Sequence, residues 1–134
     1  LITALIAAAG AGAAALAACG GQAELDGTRW KLVAWSVSSA TPGDFSITAD
    51  FADGRISGSS AVNHYGGSYK ADGNGHFSVG SLVSTEMAGP PAAMHAEAVF
   101  IELLQQARKY RLAGGSLSLM NDSGAELLVF SPRE

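Results

Sequence analysis

From Trp30 onward, apolar and polar residues alternate in short runs broken by Gly and Asp, the pattern of antiparallel strands with one buried face. Trp30 and Leu32 fall on one face of a first strand, Val33 and Trp35 on the other. Phe45, Ile47, Ala49 and Phe51 alternate with Ser46, Thr48 and Asp50, which predicts a strand with one wet face. Asp53-Gly54 supplies a hairpin turn, because both residues tolerate positive φ. Arg55 to Ser60 return, Ser68 to Ala71 form the next strand, and Asp72-Gly73-Asn74-Gly75 turn the chain again. Phe77 and Val79 continue the alternation, and Leu82 to Met87 extend it.

Behind Pro90-Pro91 the period changes. Ala93, Ala96, Phe100, Leu103, Ala107 and Tyr110 recur at spacings of three and four, one face of an amphipathic helix of about four to five turns. His95, Glu102, Gln106 and Lys109 take the opposite side, and Arg108 and Lys109 are expected in the last turn, complementing the helix dipole. Tyr110 to Ala113, Leu117 with Leu119, and Leu127 to Phe130 close the chain as strands, separated by turns at Gly114-Gly115 and Asn121 to Gly124. The expected fold class is α+β: a curved or partly closed antiparallel sheet of about 7–8 strands with the helix packed on it. A domain of roughly 110 residues buries enough surface to need no disulfide.

The first 18 residues break this pattern. LITALIAAAGAGAAALAA carries no charge and reads as the hydrophobic region of a secretory signal peptide. The sequence starts at Leu1 rather than Met and lacks the basic segment that should precede such a run, so the signal is expected to be N-terminally truncated here. The run is short and interrupted by Gly10 and Gly12, whereas a spanning helix needs roughly 20 apolar residues. It ends in Leu16-Ala17-Ala18-Cys19, which resembles the bacterial lipobox. That resemblance implies a diacylglyceryl group on the Cys19 sulfur and cleavage just before it, and two or three acyl chains anchor stably where one does not. Residues 19–26 are then the lipidated Cys and a short polar tether, and the folded domain spans 27–134. The expected address is the cell envelope, either the periplasmic face of an outer membrane or the outer face of a plasma membrane. Gly20 after the Cys, rather than Asp, favours the outer membrane in enteric bacteria.

Composition narrows the chemistry. One Cys excludes an intramolecular disulfide and a cysteine-based metal cluster. Eight Lys plus Arg against twelve Asp plus Glu leave a net charge of −4, which gives the chain as a whole no footprint for nucleic acid.

Several segments in order resemble the META domain, the family of the HslJ-like heat-shock lipoproteins. Gly27-Thr28-Arg29-Trp30-Lys31-Leu32 is similar to its opening G-T-x-W-x-L, and Gly58 to Tyr69, with Ser60, Asn63, Tyr65 and Gly67, to its G-x-S-G-C-N-x-Y-x-G-x-Y. Thr85-Glu86-Met87-Ala88-Gly89-Pro90 resembles T-x-M-A-C-P, Glu97 with Phe100 the glutamate and aromatic that open the family helix, and Leu128 to Pro132 its final L-x-F-x-P. Two cysteines that many members carry are Val62 and Gly89 here, and their joint absence is what a lost disulfide partnership would leave. The resemblance implies an envelope location and links to envelope stress, drug tolerance or motility; it transfers no catalytic residue.

His64, His76 and His95 lack metal-ligand spacing and read as surface or turn residues, with no metal and no cofactor expected. His64 beside Ser59, Ser60 and Asp53 invites a hydrolase, but no strand-turn-helix elbow surrounds either Ser. The Gly-rich stretch Gly58 to Gly67 lacks the Lys and following helix of a phosphate loop and reads as turns and a bulge, with Asn63 able to tolerate a left-handed backbone. Glu97 reads as a carboxylate bonded to the sheet rather than a base. The expected function is a non-enzymatic, monomeric envelope lipoprotein binding a protein or small apolar ligand, with Trp35 as candidate anchor. The alternative is an envelope enzyme whose pocket would gather His64, Glu97 and a Ser.

Overall fold

The computed structural model describes residues 21–37 and 41–134; Cys19 and the expected signal segment lie outside the described residues. A single helical turn, α1 (Gln22–Leu25), leads into β1 (Arg29–Trp35), and a 3-10 turn at Pro42–Asp44 leads into β2 (Thr48–Ala52). There follow β3 (Arg55–Ser59), β4 (His64–Ala71), β5 (Phe77–Val79), β6 (Val83–Ser84) and the helix α2 (Pro91–Gln106). The chain ends in β7 (Lys109–Ala113), β8 (Ser116–Met120) and β9 (Glu126–Pro132).

All the strand pairings are antiparallel, in the order β5-β4-β3-β2-β1-β9-β8-β7, with the short β6 on the remaining half of β4. The two ends of this path meet. The Phe77 N–H donates to the Arg108 carbonyl and the Tyr110 N–H to the Gly75 carbonyl, each at 2.9 Å, around a bridge between His76 and Lys109. The sheet is thus a nearly closed barrel, which leaves few unpaired edges. Two-residue hairpins tighten it where the sequence predicted them: Asp53 and Gly54 have φ of 51° and 75°, Gly114 and Gly115 61° and 78°.

Alternation fills the interior with Trp30, Leu32, Ile47, Ala49, Phe51, Ile56, Tyr65, Tyr69 and Phe77 from the first strands and Leu117, Leu119, Leu128 and Phe130 from the last. The helix adds Ala96, Phe100, Leu103 and Leu104, packing against β5 and β9, with the Phe100 ring edge-on to Tyr65 at 5.3 Å.

The structure corrects several expectations. Trp35 does not lie on the face opposite Trp30. A bulge at Val33 shifts the β1–β9 register between Leu32 and Ala34, so Trp35 stands across from buried Leu128 and packs, half-buried, against the core. Residues 19–26 are not all tether: Leu25 is fully buried, and α1 belongs to the domain. Arg108 and Lys109 lie beyond the helix, which ends at Gln106 with Ala107 as its cap; Arg108 Nη1 still donates to the Gln105 and Ala107 carbonyls, each at 2.8 Å. Tyr110 leaves the helical face altogether and is buried from β7. The left-handed residue of the Gly-rich stretch is Ala61 (φ 89°), not Asn63.

Candidate functional site

The polar residues singled out in the sequence converge at the end of the barrel where α2 begins. Glu97 Oε1 accepts the backbone N–H of Asn63 at 2.8 Å and of Val62 at 3.3 Å, and the Ser60 hydroxyl lies 2.9 Å away. Glu97 Oε2 accepts the Asn63 side-chain amide at 2.8 Å. Asn63 then reaches in the other direction: its Oδ1 accepts from Thr85 Oγ1 (2.8 Å) and the Met87 N–H (2.7 Å), and its Nδ2 donates to the Met87 carbonyl. Thr85 Oγ1 in turn accepts the His64 N–H at 3.1 Å. One buried Asn therefore ties together the β3–β4 loop, the segment before the helix, and the helix itself.

The Gly-rich stretch does cradle an anion, and the anion is the chain's own Glu97. Successive N–H groups at Val62 and Asn63 form a concavity for one carboxylate oxygen, helped by the positive φ of Ala61 just before them. Burial acts most strongly on the Glu97 carboxyl and pushes its pKa up. The hydrogen bonds from Asn63, Ser60 and Val62 together outweigh it and hold the group below its ordinary value. Glu97 is consequently ionised at neutral pH, an acceptor rather than a proton-abstracting base tuned near 7.

The glycines of this region are set by close approach. A Cβ at Gly58 would stand 2.3 Å from the Thr48 carbonyl oxygen, and one at Gly67 2.7 Å from that of Ser81. Val62 and Gly89, the two positions of the family cysteines, are brought together: a Cβ on Gly89 would lie 3.6 Å from the Val62 Cβ and 2.9 Å from its Cγ2. That separation is within the range a disulfide spans. Valine fills at one position what glycine vacates at the other.

Of the remaining motif residues, Gly27, Thr28 and Tyr69 act away from the Glu97 cluster, whereas Tyr65 and Pro90 stay beside it. The Thr28 hydroxyl donates to the Leu25 carbonyl and accepts the Trp30 indole N–H at 2.8 Å, and the Gly27 N–H donates to Phe51. Tyr69 donates to Asp26 Oδ1 at 2.6 Å, Tyr110 to Glu24 Oε1 at 2.9 Å, and Tyr65 to the Thr48 carbonyl at 2.7 Å. Asp26 and Glu24 were not legible as partners, since nothing local marks an acid that closes on a tyrosine more than 40 positions away in sequence. Pro90 caps α2, its carbonyl taking the Met94 N–H.

His64 and Glu97 are not gathered into one pocket with a Ser. Asn63, Thr85, Glu86, Met87, Met94 and Glu97 line a hollow of about 270 Å³, whereas His64 lines a separate cleft of about 460 Å³ with Asp50, Ser57, Ser59 and Arg133 on the outer wall. There Asp50 is held by Arg133, through Nε at 3.1 Å and through Nη2, and not by the histidine. His76 sits at the far turn against Asp72, and His95 is exposed on α2. Among the described residues no group of three or more His, Cys, Asp or Glu side chains is placed to hold a metal. Large apolar side chains are exposed at Val33 (41%), Val83 (69%), Met87 (59%) and Met94 (39%), the last two lining the 270 Å³ hollow beside Glu97.

Comparison with known proteins bears on the fold. A model of the family described as the META domain matches residues 23–134. Among solved structures, the chain is similar to a protein from Burkholderia xenovorans determined by NMR, at 26% identity and TM-score 0.67, covering 84% of this chain and 86% of that one. It also resembles a DUF4847 family protein from Bacteroides vulgatus, at 16% identity and TM-score 0.59 over 82% of this chain and 95% of that one, a likeness of fold alone. No curated protein matches the chain.

Proposed function

The chain belongs to the META domain family, and from that premise we propose that it is a non-enzymatic envelope lipoprotein, anchored through Cys19, that binds a protein or small apolar ligand at the α2 end of its barrel. One observation carries the reading: the polar groups of the family motifs are consumed by one another. Ser60, Asn63, Thr85 and Glu97 bond among themselves and to backbone, so although three of them line the hollow their hydrogen-bonding capacity is spent on stiffening its rim. On that rim Met87 and Met94 are exposed around a hollow, and thioether side chains repack readily against varied apolar partners. Trp35, packed against the core, gives up the anchor role to them. The role fits envelope stress or drug tolerance, where an exported binding domain meets apolar compounds or unfolded segments.

The test has two arms. Cys19→Ser should abolish labelling by an acyl-chain precursor and release the domain from washed membranes. Met87→Ser with Met94→Ser should abolish binding of a fluorescent apolar probe while the melting temperature stays near that of the wild type. Retention of an unlabelled Cys19→Ser chain on membranes by its apolar run would sink the lipoprotein reading. Undiminished probe binding would sink the rim.

A further inference from the structure

The outward positions of β1 to β4 and the end of β9 form one continuous wall, set by register. Arg29 stands across from Asp50, Asp50 from Ser57, and Ser57 from Gly66. Lys31 stands across from Thr48, Ser59 from His64, Arg55 from Ala52 and Ser68, and Lys70 from Ser78. Arg133 joins beside β1, its N–H donating to the Arg29 carbonyl at 3.0 Å. The floor is mostly Ser, Thr, Ala and Gly, with Val33 and His64 also exposed on it. On it stand five of the eight basic residues (Arg29, Lys31, Arg55, Lys70 and Arg133) and one of the twelve acids, Asp50, so the wall is strongly positive on a chain of net charge −4. Asp50 is gripped by Arg133 and approached by Arg29 at 3.8 Å. Lys31, Arg55 and Lys70 are exposed and make no ion pair with a described residue.

Of the Trp, Tyr and Phe rings of these strands, Trp30, Phe51, Tyr65 and Tyr69 are buried, and Trp35, half-buried, packs against the core. Nucleobases rely on exposed aromatic platforms to stack upon, and among the described residues this wall exposes no Trp, Tyr or Phe ring, only the single imidazole of His64. It offers spread positive charge over hydroxyls, which suits phosphate headgroups. Its position fits too. A Cβ at Gly21 would lie 2.5 Å from the Asp72 Cα, so the chain enters the domain beside the β4–β5 turn, at the end of the wall where Lys70 and Arg55 stand. Cys19 precedes Gly21 by two residues, a span of at most about 7 Å. An acyl chain there holds this end of the wall within about one Debye length of the headgroups at physiological salt.

We propose that the β1–β4 wall faces the membrane and lies against the anionic headgroups of a lipid bilayer. Its orientation rests on the lipid-anchored reading; its charge chemistry does not. The test uses the full chain carrying Cys19→Ser, which cannot be acylated, with vesicles of phosphatidylcholine alone or mixed with phosphatidylglycerol. Whatever the apolar N-terminal run contributes is common to both vesicles, so the wall is read as the increment on adding the anionic lipid. That increment should fall with salt and drop on the order of a hundredfold in the triple variant Lys31→Gln, Arg55→Gln, Lys70→Gln, at the usual gain per basic residue near such a surface. A second triple variant, Arg108→Gln, Lys109→Gln, Arg111→Gln, makes the same change in net charge elsewhere and should leave the increment near wild type. Wild-type indifference to phosphatidylglycerol overturns the proposal, as does equal loss in both triple variants. Tighter binding to a soluble anionic polysaccharide than to vesicles of equal charge also overturns it, in favour of a polymer ligand. Mass analysis of acylation on the native chain tests the anchor separately: either reading can fail while the other stands.

Discussion

The Glu97 carboxylate accepts two hydrogen bonds from Asn63, the backbone N–H on Oε1 and the side-chain amide on Oε2, each at 2.8 Å. The two residues are 34 positions apart, and this double contact joins the helix to the β3–β4 loop. Glu97→Gln leaves an N–H₂ facing donors, so it should cost about 2–3 kcal/mol at neutral pH, the usual scale for a charged hydrogen-bond partner. Urea unfolding of the two proteins at pH 7 measures that difference.

The same contact sets a pH dependence. The folded-state pKa of Glu97 is below its ordinary value of 4.5, so its contribution is complete above that value and is lost as pH falls through the lower, folded one. Urea midpoints of wild type and Glu97→Gln should therefore converge as the pH is lowered from 7 to about 3. A gap of constant size across that range would mean that the carboxylate's charge is not what the loop requires.

Val62 and Gly89 offer a direct check on the rim geometry. In a Val62→Cys, Gly89→Cys chain a bridge should form on mild oxidation, since the Cβ positions are 3.6 Å apart. Closing that loop should add about 3–4 kcal/mol. Free-thiol titration after oxidation decides it: two persistent thiols beyond Cys19 would show the positions to be farther apart or misdirected.

Trp30 is 7% exposed and fully embedded, whereas Trp35 is only half-buried although it shares the inner face. Trp30→Ala should cost about 3–5 kcal/mol, leaving a small domain near the edge of folding. Trp35→Ala should cost clearly less. Denaturant unfolding of the two variants checks both points: a Trp35→Ala cost near zero would mean that the bulge at Val33 does not turn Trp35 inward, and the reverse order would mean that Trp35, not Trp30, is the embedded ring.

Leu25 tests where the domain begins. Its side chain is fully buried, so Leu25→Ala should cost about 2–5 kcal/mol. A chain starting at Thr28 loses this contact and the Asp26 and Glu24 carboxylates that receive Tyr69 and Tyr110. Its melting temperature should be far below that of a chain starting at Gly21; equal values would restore residues 21–26 to the role of a tether.

Local pattern was enough for the α+β class, the helix behind Pro90, the hairpin turns and the pairing of Trp30 with Leu32 on one face, though not for which face turns inward, because each depends on periodicity or on the φ tolerance of one or two adjacent residues. The motif residues around Glu97 were legible as a group only through family resemblance; their spacing within the chain carries no sign that they touch. What the tertiary structure alone decided involves a single displaced residue or a distant partner. The bulge at Val33 moves Trp35 from one face to the other, since side-chain direction alternates with every residue and one extra residue inverts all that follow. The burial of Leu25, the acids that meet Tyr69 and Tyr110, and the gathering of five basic side chains on one wall all depend on which strands become neighbours. That pairing is settled by closure of the whole barrel, a long-range packing outcome that no window of the sequence contains.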